Sequence, residues 1–288
     1  MPIKYDEIMS LKSEGDVFHW SERESILYAL GVGFGRDPMN EAELPFVYEK
    51  DLNPQNVRTV PTMATVVAWG QRTMAKSGIN YLMVVHGEQR LTVHKPLPPV
   101  ATIIADEKVI GAYDKGAGKG AVILTEKNIR LKDTGEKLCT LVSTTFARGD
   151  GGFGGPSEGA PAPHTMPERK PDATYEAATH QDQAFLYALS GDRNPLHRDP
   201  AIAKMAGFPR PIIHGLCSYG TACRAIITNM LGHDAAKIKA FDVRFSAPVF
   251  PGETLLVDVW KDGNVISYRA RLKEREIVVL NNGRCVVA

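Results

Sequence analysis

A chain of 288 residues, 43% hydrophobic and 23% charged, has room for one large domain or two of ordinary size, each with a proper core. Its net charge of +1 argues against wholesale nucleic-acid binding and leaves scope only for a local basic patch facing a phosphorylated ligand. No apolar run reaches membrane-spanning length, and four scattered cysteines (Cys139, Cys217, Cys223, Cys285) without a C-x-x-C pair argue against a disulfide framework or a zinc site.

The chain starts with "MPIKYDEIMSLKSEGD", which lacks the basic, apolar and small-residue regions of a secretory signal. It finishes on "NGRCVVA", neither a peroxisomal nor an ER-retention address, so a cytoplasmic protein with reduced thiols is expected. The first apolar word is "ILYALGVG" (26–33). "VPTMATVVAWGQRT" (60–73) follows, too short and too polar for a deeply buried helix. "VVHGEQ" (84–89) and "VHKPLPP" (93–99) lead into three strand-like runs, "VATIIADEKVIGAYD", "AVILTEKNIRL" and "KLCTLVSTTFA". Residues 147–172, "ARGDGGFGGPSEGAPAPHTMPERKPD", are dense in Gly and Pro and poor in large apolar side chains, which suits a linker.

Beyond this break the first words return in the same order. "FLYALSGD" (185–192) echoes 26–33, "IIHGLC" (212–217) echoes 84–89, and "RFSAPVFPG" (244–252) weakly echoes 93–99. The unequal spacings exclude a short-period solenoid, and two diverged copies of one domain are expected, against the alternative that short apolar words match by chance. "GLCSYGTACRAIITNMLG" is apolar at helical spacing and nearly all round, with Gly232 placed to end it, and so predicts a buried helix. "NVISYRARLKE" alternates as a strand after the turn Asp262-Gly263, and the Asn-Gly of "EIVVLNNGRCVVA" predicts a further hairpin turn. A buried helix followed by antiparallel strands gives an α+β architecture. The expected division is 1–150, a linker over 151–172, and 173–288.

Within "LYALSGDRNPLH" (186–197), Asp192, Asn194 and His197 crowd around a proline. Ser-Gly-Asp and Asn-Pro are ordinary loop formers, so taken alone the segment serves as a turn at least as readily as a site. Its context makes it specific. "YALSGDRNPLHRDPAIAKMAGFPRPIIHGLCSYG" (187–220) resembles the signature of MaoC-like dehydratases and R-specific enoyl-CoA hydratases: Gly-Asp-x-Asn-Pro-aliphatic-His, then an apolar-His-Gly downstream. "HGEQRLTVHKPLPP", "YDKGAGKGAVI" and "ARGDGGFGG" are similar to the N-terminal half of the eukaryotic-type hydratase 2, so the likeness covers nearly the whole chain. It implies a double hot-dog fold, two helix-wrapped antiparallel sheets in one chain. It also implies hydration of a 2-enoyl-CoA thioester to a (3R)-3-hydroxyacyl-CoA, without a cofactor. A homodimer with an acyl-CoA substrate and neither membrane nor nucleic-acid partners is expected.

Such hydration needs activated water, a proton for C2, and stabilisation of charge on the thioester oxygen. By resemblance Asp192 and His197 are the catalytic pair, with Asn194 ordering the water or its partners; residue types alone do not say which group moves which proton. If the buried helix begins near "IIHGL", the amide of Gly215 is an unpaired donor at its positive end, while His214 reads as a structural histidine. The first half keeps Asp37 in "GVGFGRDPMN" but has no histidine at the required offset, so it should be catalytically inert. By resemblance His86, Gly87, Lys115 and Phe245 line the acyl-CoA site, although a lysine in "DKGAGKG" also suits a solvated loop. "GDGGFG" (149–154) satisfies G-x-G-x-x-G, but no helix can follow it, which excludes a dinucleotide fold. "RGD" (148–150) is read as a chance match. His180, His197 and His214 are evenly spaced without a carboxylate or thiol at ligand spacing, so no metal is expected.

Overall fold

The computed structural model describes residues 3–71 and 73–288. In chain order the first half contains α1 (Tyr5–Met9), β1 (Lys12–Trp20), α2 (Glu22–Gly31), α3 (Leu44–Val47), β2 (Val84–Val93), β3 (Ala101–Asp114), β4 (Ala121–Leu131) and β5 (Lys137–Ala147). The second contains β6 (Ala173–Ala178), α4 (Gln183–Ala188), α5 (Pro200–Met205), α6 (Gly215–Met230), β7 (Ile238–Phe245), β8 (Thr254–Asp262), β9 (Val265–Leu272) and β10 (Val278–Val287).

All ten strands form one antiparallel sheet in the order β1-β3-β4-β5-β2-β7-β10-β9-β8-β6. Read outward from the β2–β7 joint, each half has the same sequence of strands, with β2, β5, β4, β3, β1 matched by β7, β10, β9, β8, β6. The halves therefore join edge to edge, with Glu88 opposite Arg244 and Thr92 opposite Ala240. This is the repeat heard in the sequence, and two of its echoes are structural. The "LYAL" words form α2 and α4, which pack together with the rings of Tyr28 and Tyr187 5.9 Å apart. The proline-rich words leave the equivalent strands β2 and β7. The third echo is accidental: His86-Gly87 lies inside β2, whereas His214-Gly215 opens α6.

α6 forms because its sequence is apolar on nearly every side, and Ile226 and Ile227 are fully buried. Gly220 keeps it close to the first half, since a Cβ there would lie 2.9 Å from the Tyr28 hydroxyl oxygen. The helix stops at Leu231, where Gly232 turns left-handed at φ 61°. Among the described residues the first half has no counterpart. Its Val60–Thr65 stretch carries a single 3-10 turn, Pro61–Thr65, completely buried. Proline starts that turn, while β-branched Thr62, Thr65, Val66 and Val67 weaken continuation. α6 thus serves both halves, and one apolar core runs unbroken from Trp20 and Leu91 to Leu255 and Cys285. Replacing Ile226 by Ala would cost about 2–5 kcal/mol.

One expectation needs correcting. Asn282-Gly283 does not turn a hairpin: β10 continues through it as a bulge, with the register shifting between Asn281 and Arg284. Asn282 supplies the positive φ of 53°, and Gly283 lies so close to Tyr268 that a Cβ would sit 2.6 Å from its ring. The stretch expected to hold the linker, 147–172, has no helix or strand over 148–172, and hydrogen bonds tie it to strands of both halves. Asp114 accepts from the amides of Gly152 and Gly154, both at 2.7 Å. Further along, Arg90 donates to the carbonyls of Pro161 and Ala162, His164 bonds Ser267, and the Trp260 indole donates to the Arg169 carbonyl.

Candidate active site

The "SGDRNPLH" segment follows directly from the end of α4. Gly191 has φ 140°, a backbone conformation that side chains rarely adopt, and a Cβ there would meet Trp69 of the first half at 2.9 Å. The turn then organises itself. The Asp192 carboxylate accepts from the Asn194 amide at 3.0 Å, and the Asn194 side-chain oxygen accepts from the Leu196 amide at 3.0 Å. A 3-10 turn, Pro195–His197, carries the His197 ring inward to 8% exposure. Asn194 therefore holds the loop with its carbonyl oxygen, the Asx-turn role that its residue type suggests.

The imidazole of His197 donates from Nδ1 to the Ile212 carbonyl at 2.9 Å, and His214 donates from Nε2 to the Asp192 carbonyl at 3.0 Å. A carbonyl only accepts, so these bonds assign the tautomers: Nε2 of His197 and Nδ1 of His214 keep their lone pairs. The two rings stack at 3.8 Å. Burial favours the neutral form of both, and the neighbouring His197 adds to the effect on His214, whose pKa is pushed down to about 3. Asp192 favours a positive charge on His197, so a proton taken there has a counter-charge beside it.

Donor atoms of Asp192, His197 and His214 lie within 4.8 Å of one another. The expectation that no carboxylate accompanies these histidines thus fails for two of them, because the loop folds Asp192 back onto the α6 N-terminus. His180 is exposed and absent from the group, so the even spacing has no structural meaning. Each imidazole already commits one nitrogen to a backbone carbonyl. The rings stack 29° from parallel, which leaves Nε2 of His197 and Nδ1 of His214 as the uncommitted ring nitrogens beside Asp192.

Gly215 opens α6 and is exposed; among the described residues its amide has no hydrogen-bond acceptor. Phe245 lies against it, 3.2 Å from where a Cβ would be, and the His86 ring packs on Phe245 at 4.8 Å. The structure thus brings together His86, Phe245 and Gly215 from β2, β7 and α6. Burial lowers the His86 pKa to about 4, and the ring hydrogen-bonds the Glu88 carbonyl. Gly87 occupies a bulge in β2, where a Cβ would press on the Thr144 carbonyl at 3.3 Å. Lys115 stands apart from this group: its ammonium donates to the Ser157 carbonyl and lies 5.9 Å from the Tyr113 ring centroid. Asp37, the remnant of the motif in the first half, is exposed; its carboxylate accepts from the Met39 amide and its carbonyl from the Asn40 amide. Tyr187, the aromatic that opens the quoted signature but is given no role there, packs its ring on His214 at 5.0 Å, and Trp69 on Gly191 has no signal in the sequence.

Comparison with known proteins agrees with this layout. Residues 163–282 match the family described as MaoC like domain, and residues 18–149 match the MFE-2 hydratase 2 N-terminal domain. The chain is 39% identical to an enoyl-CoA hydratase, ChsH3, of Mycobacterium tuberculosis, over 97% of each chain. The chain belongs to the hydratase 2 family of MaoC-like proteins. A second relative, the peroxisomal enoyl-CoA hydratase 2 of Arabidopsis thaliana, is 38% identical over 96% of this chain and 93% of its own length. Among solved structures, a MaoC-like dehydratase from Phytophthora capsici superposes with a TM-score of 0.86 at 34% identity, covering 99% of this chain and 98% of the other. A Mycobacterium tuberculosis protein described as having a double hotdog fold also superposes, with a TM-score of 0.59 at 16% identity over 99% of this chain and 98% of its own. This hydratase 2 family member shares that fold.

Proposed function

We propose that this chain catalyses the reversible addition of water to a trans-2-enoyl-CoA, giving a (3R)-3-hydroxyacyl-CoA. The observation that carries the reading is the meeting of one carboxylate and one neutral imidazole with a free Nε2, beside an unpaired helix-terminal amide. Water held between Asp192 and His197 adds its oxygen to C3 and gives its proton to the pair, and the pair returns one proton to C2. The pair thus regains its starting state, acting as one unit that shares both roles. As the C–O bond forms, negative charge gathers on the thioester oxygen, where the Gly215 amide and the α6 dipole stabilise it. Hydration changes no oxidation state overall, so the reading calls for no redox cofactor. His86 and Phe245 flank the thioester on the Gly215 side, and Lys115 is available to the CoA phosphates if it exchanges its carbonyl partner.

The test is hydration of crotonyl-CoA and trans-2-decenoyl-CoA by purified protein, followed by oxidation of the product with R- and S-specific dehydrogenases. Product oxidised only by the R-specific enzyme supports the reading. Release of free thiol without hydration would instead make the site a thioesterase, and binding without turnover would make it an acyl-CoA carrier. A homodimer with one such site per chain, in a reducing compartment, completes the proposal; all four cysteines are free and buried, and sedimentation tests the assembly. No helix among the described residues is long and apolar enough to cross a membrane.

A further inference from the structure

The repeat leaves a matched apolar surface on α2 and α4, the two helices that pack side by side. Aligned on Tyr28 and Tyr187, both copies bury the same pair, Tyr28–Ala29 and Tyr187–Ala188. Both also leave three apolar residues at least partly exposed at matched positions: Ile26, Leu27 and Leu30 in α2, and Phe185, Leu186 and Leu189 in α4. Phe185 and Leu189 are 57% and 53% exposed. Because the helices are neighbours, these side chains form one patch rather than a scatter of single apolar residues.

The two sides of the patch differ in shape and in charge. The outer side of α2 is hollow, since Ile26, Leu27 and Leu30 line a 270 Å³ groove rimmed by Glu22, Arg23 and Glu49. That is below the roughly 300–1,000 Å³ of small-molecule sites and suits one large side chain. The outer side of α4 carries such a side chain in Phe185. Arg23 of α2 has Asp182, at the start of α4, as its counterpart in the repeat. Both are exposed, and among the described residues neither side chain forms an ion pair or a hydrogen bond.

A patch whose two sides complement each other, but not themselves, fits a second copy of the chain turned about a twofold axis. Laid α2 to α4, two copies set the Phe185 ring of each at the groove of the other, and Arg23 of each beside Asp182 of the other. Laid α2 to α2, they would set groove against groove and Arg23 against Arg23. We propose that the α2–α4 face is the contact between two copies of this chain, with the first half of each docked on the second half of the other. This rests on the homodimer proposed above and places its interface.

Sedimentation equilibrium of the full chain across a dilution series tests it. Phe185→Asp should raise the dimer Kd by about a hundredfold or more, because each dimer loses two buried anchors. Arg23→Glu and Asp182→Arg should each raise it roughly tenfold, since both cross pairs become like-charged. Combined in one chain, the two reversals should bring the Kd back near its original value. All four substituted sites lie on the surface, and unchanged circular dichroism and urea midpoints identify the folded variants. A dimer that ignores Phe185→Asp, or charge reversals that their combination does not rescue, would overturn the interface and leave the homodimer standing. Unmodified protein that stays monomeric at every concentration would remove the homodimer and this interface together, while the hydration assay still judges the chemistry.

Discussion

His197 and His214 stand face to face, 3.8 Å between ring centroids, and each donates to the backbone of the segment that carries the other. His197 grips Ile212 and His214 grips Asp192, so the two parts of the motif are stapled twice. Chemistry and positioning should then separate on substitution. Asp192→Asn and His197→Gln are each expected to lower turnover by ~10²–10⁴, the range for a lost acid–base group, with little change in folding. Hydration assays on the purified variants check this, and near-normal turnover in either would refute the assignment.

The first half retains only a fragment of the motif. Asp37 is exposed and caps a local turn, and the sequence has no histidine five positions after it. Asp37→Asn should leave kcat and KM unchanged within experimental error. A loss comparable with that of Asp192→Asn would mean that both halves carry out chemistry.

Burial holds His86, His197 and His214 below the ordinary imidazole pKa, at about 4 for His86 and about 3 for His214. The unfolded chain binds protons on these groups from about pH 6.5 downward, and the folded chain resists. Their contribution to stability is therefore complete above about pH 6.5 and declines as the pH falls towards the folded values. For His214, which is 1% exposed, the slope approaches about 1.4 kcal/mol per pH unit. Asp242 works in the opposite sense, since burial raises its carboxyl pKa, but it acts only nearer the carboxylate range. Urea midpoints measured at pH 7.5, 6.5 and 5.5 should fall in that order, and less steeply in His214→Asn.

Glu43 and Arg224 tie the first half to α6. One carboxylate oxygen accepts both Nε and Nη2 of Arg224, at 3.1 and 2.7 Å, and the other accepts the Gly35 amide at 2.8 Å. The Glu43 side chain is only 2% exposed and that of Arg224 18%. Glu43→Ala strands a largely buried guanidinium and should destabilise the chain by about 3–5 kcal/mol. Glu43→Gln, which keeps an acceptor, should lose less. Chemical denaturation of the two variants gives the comparison.

The parts of the molecule that could be read from sequence are those with a local cause. α6 announced itself by unbroken apolar periodicity and a terminal glycine, and the strands by alternation. The Asn194 turn followed from Asn-Pro chemistry. Asn282-Gly283 misled because a hairpin turn and a bulge ask for the same backbone, a positive φ followed by a residue without a side chain. "VVHGEQ" misled because apolar words of that length recur without shared geometry. Trp69 on Gly191, and Glu43 on Arg224, join residues far apart in the chain and have no local signature. The Asp192–His214 bond has none either, since it uses a backbone carbonyl that every residue possesses.

The edge-to-edge joint of β2 with β7 has one more consequence. In an assembly of two identical chains, every substitution appears on both sides of the joint at once, so a change that enlarges one side also alters the other. Here the two sides are encoded separately. The first could discard its long helix, its histidine and its share of the chemistry while the second kept all three. Because both sides belong to one polypeptide, they also meet at a rate that does not depend on protein concentration, and dilution should leave each site intact.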